Sequence, residues 1–149
     1  MKYKDYAEIE KLVVAFENGT IGRDEWGHAE HLIVAAEYCI KGDLQAAYKK
    51  MKNGIFNLLK AFGINLDDES PYHETLTVFW MMAVYDFVVT RTDRDPLEFH
   101  RELIASLGKD FPLEFYENET LFSENARNKF VAPDKAQTKF ALHALSETP

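Results

Sequence analysis

The chain has little of what would cross-link a small fold or divide it, since its 149 residues include one cysteine, five prolines and seven glycines. With Cys39 alone, no disulfide can form within the chain, and its apolar neighbours favour a buried position for it. The longest apolar run, residues 76–89, is interrupted by Thr77 and Asp86 and is too short to span a bilayer. The sequence therefore predicts no membrane span, no disulfide scaffold and no linker between domains.

Positive charge is also scarce, because 17 Lys and Arg face 25 Asp and Glu, which gives a formal net charge of −8. The densest basic run, Lys-Lys-Met-Lys at residues 49–52, is short and typical of a solvated helix face. A basic stripe suited to a phosphate backbone is missing, so nucleic acid is not an expected partner. The first residues lead into a charged amphipathic stretch without the apolar region of a signal peptide, which favours a cytoplasmic location.

Apolar residues are plentiful and recur mainly at helical spacing. Hydrophobic residues make up 46% of the chain and aromatic residues 13%, which is typical of a globular domain, and the length suits a single domain, residues 1–149. The pattern predicts an all-α fold, an antiparallel bundle of about five to seven helices. The expected long helices are about 6–18, 24–41, 44–62, 72–90 and 96–107, followed by shorter pieces at about 112–118 and 123–131 and an amphipathic tail.

Capping residues locate several of the predicted helix ends. Asp43 and Asp95 are expected N-caps, and Ser70 followed by Pro71 predicts the start of the fourth helix. That helix, 72–90, has almost no polar face and should be the central, most buried one. Gly54 is an expected weak point inside the third helix, because glycine costs about 1 kcal/mol there.

Two short segments contain three of the five histidines. Residues 26–32 read Trp-Gly-His-Ala-Glu-His-Leu, and residues 72–77 read Tyr-His-Glu-Thr-Leu-Thr. Each segment lies near the predicted start of a helix, and short loops make successive helices antiparallel, so both segments should meet at one end of the bundle. The other two histidines, His100 and His143, are expected to face solvent.

The three clustered histidines are candidate ligands of one transition-metal ion. His28 and His31, three residues apart, share a helix face with Cβ atoms about 5–6 Å apart, and His73 is expected to reach the same end. The positive end of a helix dipole favours neutral imidazole, the form that binds metal. A carboxylate-bridged di-iron centre is disfavoured, because Glu25 and His28 form the only Glu-x-x-His pair.

The same residues allow two other interpretations, and the sequence leaves all three open. The histidines and threonines could form a buried polar network without a ligand, since polar groups at buried helix ends commonly bond to one another. Alternatively, two helix N-termini could form a metal-free site for a small ligand. The expected lining of such a ligand pocket is Trp26, Tyr72, Glu74, Thr77 and Trp80.

The chain resembles a group of small bacterial all-helical proteins of unknown function. They share W-x-H-x-x-H-L and Y-H-E-T-x-T, a Trp after the second motif, and later Ala-Arg and Pro-Asp pairs. Here these are residues 26–32, residues 72–77 with Trp80, Ala126-Arg127 and Pro133-Asp134. The resemblance covers most of the chain and implies that the histidine segments form a site, but it implies no activity. Arg127 is expected to bind a nearby carboxylate such as Asp134 and so fix the C-terminal segment.

The sequence therefore predicts an all-α protein that binds one Zn, Fe or Ni ion through His28, His31 and His73. Glu30 or Glu74 would serve as a fourth ligand or as an acceptor for an imidazole N–H. A metal-dependent enzyme acting on a small molecule fits this interpretation. The alternative is a non-catalytic module that binds a small ligand or another protein, with structural histidines. No signal for a nucleotide cofactor is present, and the oligomeric state is open, a homodimer included.

Overall fold

The computed structural model describes residues 1–67, 71–91 and 95–145. Within these ranges the chain forms helices and no strands, which confirms the predicted all-α bundle. Short 3-10 turns occupy Arg23–Glu25 and Phe111–Glu114. The described part of the chain contains the α-helices α1 (Tyr6–Asn18), α2 (His28–Lys41), α3 (Leu44–Ala61), α4 (Glu74–Thr90), α5 (Pro96–Ser106), α6 (Asn118–Leu121) and α7 (Glu124–Asn128).

Several helix ends lie where the capping residues place them. The Asp43 side chain accepts from the Ala46 N–H at 2.8 Å, and the Asp95 side chain caps α5 in the same way. Gly19 ends α1 in the left-handed region with φ 68°, which a glycine adopts without steric cost. These capping contacts join residues that are close in sequence, so the sequence alone determines these helix ends.

The starts of α2 and α4 differ from the prediction. α2 begins at His28 rather than near Asp24, because a 3-10 turn and the extended residue Trp26 precede it. α4 begins at Glu74, and its N-cap is His73, whose Nδ1 accepts from the Leu76 N–H at 3.1 Å. Pro71 therefore precedes the helix instead of starting it, and Ser70 lies outside the described residues.

α3 continues unbroken through Gly54, contrary to the expected weak point. The ring of Phe16 from α1 lies directly against this glycine, since a Cβ built there would be 2.2 Å from Phe16 Cε2. The missing side chain therefore lets α1 and α3 approach closely, and their packing offsets the low helix propensity of glycine.

α4 is the central helix, as its apolar composition predicts. It packs against α2, α3 and α7, and Phe79, at its centre, is fully buried. No helix in the described part of the chain is both long and apolar enough to cross a membrane. The rings in contact with Phe79 belong to Trp80, Phe111, Phe115, Tyr116 and Phe140.

The C-terminal tail packs on the bundle in a non-helical form. Residues 129–145 contain no helix, yet Leu145 is buried and the Phe140 ring lies 5.8 Å from that of Phe79. The Thr75 hydroxyl holds the start of this segment, since it donates to the Lys129 carbonyl at 2.9 Å and accepts from the Val131 N–H at 3.1 Å.

Candidate functional site

The first histidine segment packs against α4, the helix that the second segment begins, and the predicted meeting of the two segments stays a prediction. His28, the first residue of α2, packs its ring against Trp80 of α4 with 4.9 Å between ring centroids. Trp26, just before α2, packs against the His31 ring at 4.3 Å. The chain has two tryptophans, so each of them contacts one of these two histidines.

His28 has one ring nitrogen in use and one open. Its Nε2 lies 2.8 Å from the Leu107 carbonyl oxygen, just beyond α5. A carbonyl only accepts, so Nε2 carries the proton and neutral His28 keeps its lone pair on Nδ1. Nδ1 has no partner among the described residues and is not a buried atom. His28 therefore directs an open lone pair towards solvent.

His31 also has one hydrogen-bonded and one open ring nitrogen, but here Nδ1 is bonded and Nε2 is open. Its Nδ1 lies 3.0 Å from the Gly27 carbonyl oxygen and donates to it, which leaves the lone pair on Nε2. Nε2 also lacks a partner within the described residues without being buried. Burial, and secondarily the nearby His28, lower the pKa of His31, so its imidazole is neutral at pH 7.

His73 has no lone pair to offer, which overturns its predicted role as a metal ligand. Its Nε2 donates to the Leu121 carbonyl at 2.6 Å, and its Nδ1 accepts from the Leu76 N–H. Burial lowers its pKa. Both nitrogens are thus consumed in capping α4 and in holding the end of α6.

The three histidines consequently do not form the predicted ligand set. Across residues 1–67, 71–91 and 95–145, no group of three or more His, Cys, Asp or Glu side chains is placed to hold a metal ion. Glu30, a candidate fourth ligand, instead accepts from the Tyr3 hydroxyl at 2.7 Å and from the Gly27 N–H at 3.0 Å.

The expected pocket residues around Glu74 bond to other groups of the protein. The Glu74 carboxylate accepts from the hydroxyls of Tyr48 and Tyr72, each at 2.6 Å, and pairs with Lys52 at 3.3 Å. The Thr77 hydroxyl donates to the His73 carbonyl one turn earlier. Tyr72, Glu74 and Thr77 therefore belong to a polar network whose members bond to one another and to the backbone, and their role as the lining of a ligand pocket stays a prediction.

Arg127 does not bind Asp134. Arg127 is exposed and has no ion-pair partner among the described residues. The Asp134 carboxylate instead accepts from the Glu117 N–H at 2.9 Å and from the Thr120 hydroxyl at 2.5 Å. The C-terminal segment is thus fixed by Asp134 and Thr75, and the predicted role of Arg127 is wrong.

Known proteins offer no guide to this site. No family model, curated protein or solved structure matches the chain. The resemblance stated from the two motifs therefore stays a prediction.

Sequence reasoning missed one buried polar pair, Glu37 with His100. His100, predicted to face solvent, is completely buried, and its Nε2 lies 2.9 Å from Glu37 Oε2. A signal was available, since His100 lies beside Phe99 and three residues before Leu103, both on the apolar face of α5. His143 is exposed, as predicted.

Proposed function

We propose that this protein is a metal-binding module that takes one transition-metal ion at His28 and His31. The observation that supports this is the pair of open lone pairs, each on an imidazole whose other nitrogen donates to a backbone carbonyl. Metal-ligating histidines have this arrangement, in which the second nitrogen fixes the tautomer and the ring orientation.

The number of ligands determines the kind of site. Closed structural zinc sites use four protein ligands and catalytic ones usually three, whereas this site has two imidazoles. The remaining coordination positions belong to water or to donor atoms of a small molecule. We therefore propose an exchangeable site, and imidazole ligands suit Zn, Ni and Fe, with Fe²⁺ the weakest of the three.

A metal-free small ligand is the second candidate. It is favoured by the two indoles, because Trp26 and Trp80 place aromatic surface beside the two acceptor nitrogens. Such a ligand would donate N–H or O–H groups to both imidazoles. It shares the site with the metal, so the same variants would test it.

The two tryptophans provide the measurement. We expect Ni²⁺, added to protein without an affinity tag, to quench tryptophan fluorescence with saturation, because both indoles contact the ligating rings. His28→Ala and His31→Ala should each weaken Ni²⁺ binding roughly tenfold or more, since even the loss of an outer-shell partner costs about 10–100-fold. His143→Ala, which removes an exposed imidazole, is the matched control and should bind as the wild type does.

His73→Ala separates this proposal from the three-histidine site. Because both nitrogens of His73 bond to the backbone, this variant should bind Ni²⁺ normally and lose about 1–3 kcal/mol of stability through unpaired groups. Absence of saturable quenching in the wild type would contradict the proposal. Loss of Ni²⁺ binding in folded His73→Ala would restore the three-histidine site.

A further inference from the structure

A buried polar pair connects α2 with α5. Glu37 and His100 are 1% and 0% exposed, and the His100 Nε2–H donates to Glu37 Oε2 at 2.9 Å. The other carboxylate oxygen accepts from the Tyr6 hydroxyl of α1 and lies 3.5 Å from the Lys41 ammonium. Three helices are therefore joined at one carboxylate.

This arrangement is costly for a core position. The His100 Nδ1 atom is buried without a hydrogen-bond partner among the described residues, and each such group in a native structure needs an explanation. Well-packed apolar residues in place of a buried ionic pair are often neutral or stabilising. Packing alone therefore does not account for a histidine here.

α5 connects this pair to the candidate metal site. His100 lies within α5 and Leu107 is its C-cap, and the two are about 10 Å apart along the helix axis. The Leu107 carbonyl is the acceptor that keeps the proton of His28 on Nε2. α5 is thus fastened to α2 twice through histidine hydrogen bonds, at Glu37 and at His28.

We propose that Glu37 and His100 are positioning residues for His28. By fixing α5 on α2, the pair holds the Leu107 carbonyl in place, and that carbonyl keeps the His28 lone pair on Nδ1, open towards solvent. The consequence for metal affinity rests on the proposed function, whereas the consequence for the His28 tautomer does not.

The decisive experiment measures the His28 tautomer in metal-free protein. In ¹⁵N NMR spectra of histidine-labelled wild type, we expect one protonated and one unprotonated ring nitrogen for His28, the proton being on Nε2. In His100→Leu the two resonances should move towards each other as both tautomers become populated. Glu37→Gln keeps an oxygen that can accept from His100 and should retain the wild-type tautomer.

Two further variants keep the result interpretable. Tyr38→Phe removes a comparable hydrogen bond between α1 and α2, Tyr38 to Glu17 at 2.8 Å, and should leave the His28 tautomer unchanged. If His100→Leu does not fold, the double variant with Glu37→Leu removes both polar partners without leaving a buried charge. It should show the same mixed tautomers.

The same proteins, titrated with Ni²⁺, test the link to the metal site. We expect His100→Leu to bind roughly tenfold more weakly than wild type, the lower end of the range for loss of an outer-shell partner, and Glu37→Gln to bind nearly as well. An unchanged His28 tautomer in a folded His100→Leu or double variant would overturn the positioning role. Absence of Ni²⁺ binding in the wild type would instead contradict the proposed function, and the tautomer would still decide the role of the pair.

Discussion

Gly54 is the glycine at which an added side chain would have the least space. A Cβ there would lie 2.2 and 2.4 Å from two ring atoms of Phe16, which is itself fully buried. We expect Gly54→Ala to lower the free energy of unfolding by up to about 2 kcal/mol, because an overpacking cost of about 1–3 kcal/mol outweighs the gain of about 1 kcal/mol in helix propensity. Denaturant unfolding of the variant measures this.

Gly108 provides the control for that substitution. A Cβ at Gly108 would meet nothing within 4 Å, so Gly108→Ala should change stability by about 0.5 kcal/mol or less, as typical surface substitutions do. A Gly54→Ala variant as stable as wild type would mean that Phe16 moves aside at little cost, and that α1 and α3 do not depend on this close approach.

The role of each histidine could not be predicted from the sequence. His28, His31 and His73 could be named as candidates, but the role of each depends on which ring nitrogen a backbone group occupies. His73 has both occupied, whereas His28 and His31 each have one. The partner carbonyls at Leu107 and Leu121 are distant in sequence, so no local pattern could identify them.

At the scale of elements, the first turn of α4 clamps the C-terminal segment. Thr75 is fully buried and bonds to the backbone of Lys129 and Val131. We expect Thr75→Val, which keeps the shape and removes both bonds, to cost about 1–3 kcal/mol because two backbone groups lose their partner. Faster amide exchange at residues 129–145 would show the release directly.

Thr77→Val is the matched control in the same turn. The Thr77 hydroxyl donates to the His73 carbonyl, which already accepts from the Thr77 N–H, so its loss leaves no backbone group without a partner. We expect at most about 0.5 kcal/mol of destabilisation and normal exchange in the C-terminal segment. Equal effects of the two substitutions would contradict the clamp.

Helix boundaries were predictable where a cap lies within the local sequence. Asp43 and Asp95 cap the helices that follow them, as predicted. The predicted start of α4 was wrong because His73, an uncommon cap, is held in position by the Leu121 carbonyl. The packing of the tail was left open by the sequence, and its apolar residues reach the core without forming a helix. In both cases contacts distant in sequence decide the outcome.

At the scale of the whole molecule, hydrogen bonds from tyrosine to glutamate connect distant parts of the chain. Tyr3 bonds to Glu30 and Tyr6 to Glu37. Burial opposes ionisation of both carboxylates, but hydrogen bonds, led by Tyr3 for Glu30 and by His100 for Glu37, lower the pKa of each below its ordinary value of 4.5.

Stability should therefore depend on pH at the acid end. A carboxylate whose pKa is lowered on folding stabilises the protein above pH 4.5, and this contribution is lost as the pH falls through the folded value. We expect the free energy of unfolding to begin to decline below about pH 6.5, because folding lowers the pKa of His31 and His73 from 6.5 and the unfolded chain therefore takes up those protons first. Below about pH 4.5 the carboxylates add to this decline, by up to about 1.4 kcal/mol per pH unit for each further proton taken up. Denaturant melts across this range measure it, and Glu37→Gln should flatten the decline.

At alkaline pH the tyrosines make stability fall, rather than rise, with increasing pH. Burial, and then the bonded carboxylate, raise the pKa of Tyr6 above its ordinary 10.0, so the neutral form stabilises the fold below pH 10. We expect stability to fall as the pH rises above about 10, because the unfolded chain then loses protons that the folded chain retains. A Tyr6→Phe variant with the same alkaline profile as wild type would show that Tyr6 contributes nothing to it.

The sequence by itself determined the all-α class, the long helices and the apolar central helix. These follow from periodicity, local capping and short loops, which act over a few residues. Only the tertiary structure decided which nitrogens stay open, that Tyr72, Glu74 and Thr77 join a closed network, and that His100 lies in the core. Those outcomes depend on hydrogen bonds between residues far apart in the chain, and the geometry of such bonds exists only after the helices have packed.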